Sequence, residues 1–177
     1  MKRILGIAAL VLLMACNQKN KSAELKNAVN ADSSKTKNDI TINDSQKSVI
    51  FYQYEDLKNN LVKSDAAAAQ KSASTLKVSL AGFKGCELTA EIAEKIASTG
   101  DIVSQRKNFT VLSADLIALI KNTIIDKGVI YVQHCPMANK GDGGDWLSTE
   151  KEIKNPYYGE EMLECGRIVE EIKAKRN

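Results

Sequence analysis

"SADLIALIKNTIIDKGVIYVQHC", residues 113 to 135, contains the change of pattern on which the fold turns. Its first half sets Leu116, Leu119, Ile120 and Ile124 on the spacing of one helical face, with Ser113 placed to cap that helix. After Lys127-Gly128 the pattern changes. "VIYVQHC" is β-branched and aromatic, and it reads as a strand. Helices are therefore expected before residue 127 and a small β element after residue 128.

Three more helical faces lie upstream. Ile50, Tyr54, Leu57 and Leu61 repeat at helical intervals from a start near Ser45. Ser64 and Asp65 offer a cap for a second helix carrying Ala69, Ala73, Leu76 and Leu80, small residues that let two helices approach closely. Gly82 and Gly85 end it. "CELTAEIAEKIAS" starts a third helix with Leu88, Ile92 and Ile96 in register. Gly100-Asp101 bends or interrupts it before Val103, Arg106 and Phe109 continue the pattern. Four amphipathic helices on short connections predict a mainly α domain: an antiparallel four-helix bundle followed by a small β element and a Cys/Met-bearing loop. "GRIVEEIK", ending at Lys173, is expected as a short strand pairing with residues 129–134.

The chain is 177 residues long, 44% hydrophobic and 27% charged, which suits one globular domain. Its opening, "MKRILGIAALVLLMAC", has a basic start and an apolar run too short for a comfortable membrane span. Residues 1–15 read as an export signal. Leu13-Met14-Ala15-Cys16 resembles the bacterial lipobox, which implies that Cys16 becomes the lipidated N-terminus. Residues 16–44 are rich in Asn, Lys, Ser and Asp without a sustained apolar period. They read as a flexible tether to a domain over 45–177. The expected location is the cell envelope, anchored to the membrane through lipid and facing the periplasm. Loss of the signal takes Lys2 and Arg3 from the 25 basic residues, leaving 23 against 22 acidic ones. Nucleic acid is not the partner this balance implies.

Export places the thiols where they oxidise unless something occupies them. With Cys16 lipidated, Cys86, Cys135 and Cys165 remain, enough for one disulfide. His134, Cys135 and Met137 are side chains that bind soft metals. Met162 and Cys165 stand three apart in "EEMLECG". These groups flank a long loop carrying the turn signals "GDGGDW" and "NPYYG", and such a loop is uncommon unless functional or cross-linked. One closure is a Cys135–Cys165 disulfide, which contributes roughly 3 kcal/mol by the chain-entropy argument. The other is a soft ion, Cu(I) or Ag(I), held by Cys135, Met137, Met162 and Cys165 with His134 as a further candidate donor. Spacing leaves both open. Trp146 is expected as a core plug. Asp142 and Asp145 lack the EF-hand spacing. Adjacent Cys and His do not make a nucleophile–base pair, so no catalytic residue and no enzyme activity is expected.

"YVQHCPMANKGDGGDWLSTEKEIKNPYYGEEMLECG" resembles a helical domain of unknown function seen in small exported lipoproteins. That domain is also appended to periplasmic adaptor subunits of copper/silver and other heavy-metal efflux pumps. The similarity runs from about residue 47 to the end and is most specific in "CPMA", "WLS", "NPYYG" and "MLxCG". "QRKNFTVLSADLIALIK" is similar to the passage between that family's third and fourth helices. The resemblance implies metal handling, copper above all, with Cys135 and Met137 on the "CPM" motif and Met162 and Cys165 on "MLxCG". The implied partner is a heavy-metal efflux adaptor or another copper-handling protein, and the implied role is to bind or pass on an ion rather than pump it. The alternative is a disulfide-stapled structural or protein-interaction domain without metal.

Cys16→Ser is expected to block processing or release the protein from membranes. Unchanged membrane fractionation with an unchanged N-terminal mass would contradict the lipid anchor.

Overall fold

The computed structural model describes residues 39–174. The expected signal, Cys16 and most of the expected tether lie outside those residues. The end of the tether does not. Ile40 and Ile42 are buried, and Thr41–Ile42 forms a strand, β1, antiparallel to β2 at Ile125–Lys127. The ordered domain thus begins before Ser45. A Cβ on Gly128, which has positive φ, would stand 2.7 Å from the Ile40 side chain and 2.8 Å from the Asp39 carbonyl. Only glycine admits this approach.

The described residues are mostly α, with four α-helices and small antiparallel sheets. Helix α1 spans Ser45–Val62 and starts where the Asp44 carboxylate accepts from the amides of Gln46 and Lys47. Helix α2, Ala66–Ala81, is capped by Asp65, whose side chain accepts from the Ala68 amide. Helix α3, Glu87–Ala97, follows, and α4, Ile102–Lys121, is capped by Asp101 through the amides of Val103 and Ser104. A capping carboxylate supplies the acceptor that the first helical amides lack. Successive helices pack on one another and α1 also touches α4. Among the described residues no helix is long and apolar enough to cross a membrane.

The expected faces of α1 and α2 are those that are buried: Ile50, Tyr54, Leu57 and Leu61, then Ala69, Ala73, Leu76 and Leu80. On α3 the buried set is Thr89, Ala90, Ala93 and Ile96, and Leu88 is 76% exposed. A face of small residues seats α3 between its neighbours, and the large Leu88 points outward. Gly100-Asp101 breaks the helix outright, so Val103 on the new first turn is 69% exposed. Ser113 is not a cap. It lies within α4, fully buried, 2.8 Å from the Tyr54 hydroxyl.

The second sheet has the order β4-β3-β5, all antiparallel. Strand β3 is Val129–Cys135 and β5 is Arg167–Lys173, paired as their alternation predicts. Strand β4, Gly144–Ser148, falls inside the expected loop and pairs Cys135 with Gly144 and Gln133 with Trp146. Trp146 is fully buried, as a core plug should be. One hydroxyl contributes a direct link between the sheet and two helices. Tyr54 stacks on Phe109 with ring centroids 5.3 Å apart, and its oxygen accepts from the Leu147 amide at 3.1 Å. This hydroxyl therefore joins α1, α4 and β4.

Leu57→Ala and Leu116→Ala, both at fully buried sites, should each cost about 2–5 kcal/mol, whereas Leu88→Ala should stay within about 0.5 kcal/mol. Urea unfolding checks this. Equal losses at all three sites would refute the placement of α3.

Candidate functional site

Cys135 is the last residue of the central strand, and the chain turns at Pro136-Met137 into a short 3-10 segment, Ala138–Gly141. Asn139 and Lys140 take positive φ there. Asn139 pays for that conformation by donating to the Gly143 carbonyl at 2.8 Å and accepting from the Thr110 hydroxyl of α4 at 3.1 Å. The hairpin between β3 and β4 is thus pinned to the helices. Gly144, opposite Cys135, leaves the space occupied by the Tyr157 ring, which a Cβ would approach to 2.7 Å. The Tyr157 hydroxyl donates to the Asp145 carbonyl at 2.7 Å, and burial pushes its pKa well up.

The segment from Thr149 to Gly166 is held by polar contacts beside the packing of Tyr157 in the core. Buried Gln133 donates to the carbonyls of Glu150 and Glu152 at 2.9 and 3.2 Å. Asn155 is fully buried and forms four hydrogen bonds. Its carboxamide donates to the Cys165 carbonyl at 2.9 Å and accepts from the Tyr157 amide at 2.8 Å. Its own amide donates to the Leu163 carbonyl, and its carbonyl accepts from the Gly159 amide. Arg106 of α4 reaches in from the other side, donating to the Pro156 carbonyl at 2.9 Å and, at the end of α1, to the Leu61 carbonyl and the Ser64 hydroxyl. Gly159 has φ 60°, and a Cβ there would stand 2.5 Å from the Ser64 hydroxyl oxygen and 2.8 Å from the Val62 carbonyl. The "NPYYG" stretch is therefore the clamp that lays the loop on the helices.

That clamp brings the two cysteines together. Cys135 Sγ and Cys165 Sγ lie 2.9 Å apart, both as free thiols. Cys135 is fully buried and Cys165 is partly exposed. The hydrogen bond shared with Cys135, reinforced by burial, raises the Cys165 pKa, so this thiol is protonated at neutral pH.

The other expected donors are placed differently. His134 and Cys135 are neighbours on an extended strand and face opposite ways. His134 Nδ1 lies 2.7 Å from Asp145 Oδ1, directly across the β3–β4 pairing. The imidazole is thus not beside the sulfur pair. Met137 is 52% exposed, and its carbonyl accepts from the Tyr158 hydroxyl at 2.5 Å. Met162 ends a 3-10 turn, Gly159–Met162, and its carbonyl accepts from the Cys165 amide at 3.0 Å. Among the described residues no group of three or more His, Cys, Asp or Glu side chains stands ready to hold a metal. Cys86 precedes α3, where burial raises its thiol pKa.

Donor chemistry suits a soft ion, because two thiols adjoin a chain segment that carries thioethers. Distance sets a condition. Thiolates bound at about 2.3 Å stand roughly 3.7 Å apart around a tetrahedral ion and about 4.6 Å apart around a linear one. A disulfide needs about 2.05 Å. The observed 2.9 Å lies between these, so an ion must part the sulfurs and a bond must draw them together.

Sequence reasoning missed Asn155, Arg106 and Gln133 as supports of the site. The signal for Asn155 was present: Asn before Pro begins an Asx turn, and the Asn155–Tyr157 hydrogen bond is that turn.

Residues 50–128 match a family described as "Protein of unknown function (DUF3347)". The matched stretch runs from within α1 through β2 and stops before β3, so both cysteines of the pair lie beyond it. No curated protein and no solved structure matches the chain.

Asn155→Ala leaves the Cys165 carbonyl and the Tyr157 amide without their partner. A loss of about 1–3 kcal/mol is expected for each group left buried and unpaired. Chemical denaturation measures it, and a variant as stable as the parent would show that the clamp is dispensable.

Proposed function

We propose that this protein binds a soft monovalent ion, Cu(I) or Ag(I), between Cys135 and Cys165, as an exported lipoprotein that handles copper at the cell envelope. The observation that carries this reading is the meeting of two thiols from residues 30 apart in sequence, one of them reachable from solvent. The helices, proposed here as an antiparallel four-helix bundle, serve as the rigid base for the clamp; their short connections and pairwise packing support that arrangement.

Met137 and Met162 adjoin the two cysteines in sequence, and their flexible thioethers are candidates to complete the coordination. His134 is directed to Asp145, and the proposed donor set leaves it out. The lipid anchor at Cys16 keeps the site near the membrane, and a heavy-metal efflux adaptor or another copper-handling protein is the partner proposed to receive the ion. The role is binding and transfer, without catalysis.

The short sulfur separation favours a second reading. At 2.9 Å the thiols need only close by about 0.9 Å to form a disulfide, and the domain would then be a stapled interaction module.

Reduced protein should bind about one equivalent of Ag(I), and Met137→Leu with Met162→Leu should retain the fold while weakening binding about tenfold, near 1.4 kcal/mol. His134→Ala should bind as the parent does. Binding displaces thiol protons, so affinity should fall as pH drops below the raised pKa of Cys165. Titration calorimetry at several pH values reads all three effects. Reduced protein that takes up no Ag(I), together with quantitative Cys135–Cys165 oxidation in air, would overturn metal binding in favour of the staple.

A further inference from the structure

The two sulfurs differ sharply in access. Cys135 has no exposed surface, being enclosed in the central strand, whereas Cys165 is partly open to solvent. The backbone of Cys165 is fixed from both sides, its amide on the Met162 carbonyl and its carbonyl on the Asn155 carboxamide. Rotation about its Cα–Cβ bond swings the sulfur without breaking either hydrogen bond. A disulfide arriving from solution can meet Cys165 but not Cys135. Once a group is attached at Cys165, the nearest sulfur to displace it is Cys135, 2.9 Å away in the resting pair.

We propose that Cys165 is the entry sulfur for thiol–disulfide exchange with a small-molecule or peptide disulfide, and that buried Cys135 is the resolving sulfur. In the first step the Cys165 thiolate attacks one sulfur of the incoming disulfide. The incoming S–S bond breaks, a mixed disulfide forms at Cys165, and the departing thiolate takes up the proton that Cys165 gave to solvent. In the second step the Cys135 thiolate attacks Cys165 Sγ. The Cys135–Cys165 bond forms, the mixed disulfide breaks, and the second thiolate leaves and is protonated in turn. The protein loses two protons and two electrons, and the incoming disulfide is reduced to two thiols. This assignment rests on the access and spacing of the sulfurs and holds whether or not the pair takes an ion, so a failed Ag(I) titration leaves it standing.

The test treats the reduced full chain with hydroxyethyl disulfide and maps every adduct by peptide mass. The parent should end as the Cys135–Cys165 disulfide with no retained adduct. Cys135→Ser, or Cys135→Ala if the serine variant misfolds by circular dichroism, should retain a hydroxyethylthio group at Cys165. In Cys165→Ser, Cys135 should react at least about tenfold more slowly than Cys165 does in the Cys135 variant, and should match it only after denaturation. Comparable rates at the two sites in folded protein would overturn the assignment. A parent that accumulates a stable adduct at Cys165 would overturn the resolving role of Cys135.

Discussion

The carboxamide of Asn155 accepts from the amide of Tyr157 and donates to the carbonyl of Cys165, within a segment whose only regular structure is one 3-10 turn. Such a segment cannot lie against a core unless its backbone groups find partners, because a buried group left unpaired costs about 1–3 kcal/mol while a made hydrogen bond returns only about 1. Asn155 meets that demand from inside the loop and Arg106 meets it from α4, donating to Pro156 and to the end of α1. Gly159 lets the chain pass against Ser64 and Val62, where any side chain would collide. The position of Cys165 follows from these contacts. Its carbonyl is one of the groups that Asn155 satisfies, and its thiol is thereby delivered to the end of β3.

A comparable constraint binds the sheet to the helices. Tyr54 is fully buried, and its hydroxyl would be costly there without partners. Ser113 and the Leu147 amide supply them, so one oxygen fixes the mutual placement of α1, α4 and β4. Burial raises the Tyr54 pKa well above its ordinary value, outweighing the lowering effect of these two hydrogen bonds, and keeps the phenol neutral. The ion pair of Glu55 and Lys58 one turn further along α1 is also buried and reaches Ser148 and Thr149 at the end of β4. Polar contacts thus fix the seam between helices and sheet, where apolar burial alone would allow sliding.

What the sequence revealed follows from the same physics. The faces of α1 and α2 were legible because large or uniformly small residues recur on one side, and β5 was legible because Ile168 and Ile172 lie among charged residues. Leu88 misleads because a large apolar residue reads as a core residue, whereas α3 packs through Thr89, Ala90, Ala93 and Ile96. Ser113 misled because serine serves equally as a cap and as a buried partner, and nothing local distinguishes the two. Strand β4 was hidden, since "GDWLS" is short, begins with glycine and shows no alternation; its pairing with β3 is tertiary information. The contact of His134 was hidden for the same reason, because its partner Asp145 sits on that unseen strand. The two cysteines were legible as a pair because a long loop needs closure, but the asparagine that closes it looked like turn chemistry alone.

At 2.9 Å the sulfurs lie between the separations that the proposed ion and the alternative disulfide would require, and the fold holds the two cysteines differently. Cys135 is held in the central strand opposite Gly144, with Tyr157 filling the space that glycine leaves. Cys165 precedes Gly166, where a Cβ would meet the His134 carbonyl at 2.9 Å and the Trp146 ring at 3.0 Å, so only glycine lets the chain pass so close to β3 and β4. Rotation of the Cys165 side chain would part the sulfurs for the proposed ion, or close them into the alternative disulfide, while leaving the Asn155 hydrogen bond in place. Neither state requires the clamp to open. On the proposed function, the choice between ion and disulfide would then depend on what reaches the partly exposed sulfur and on the proton it carries.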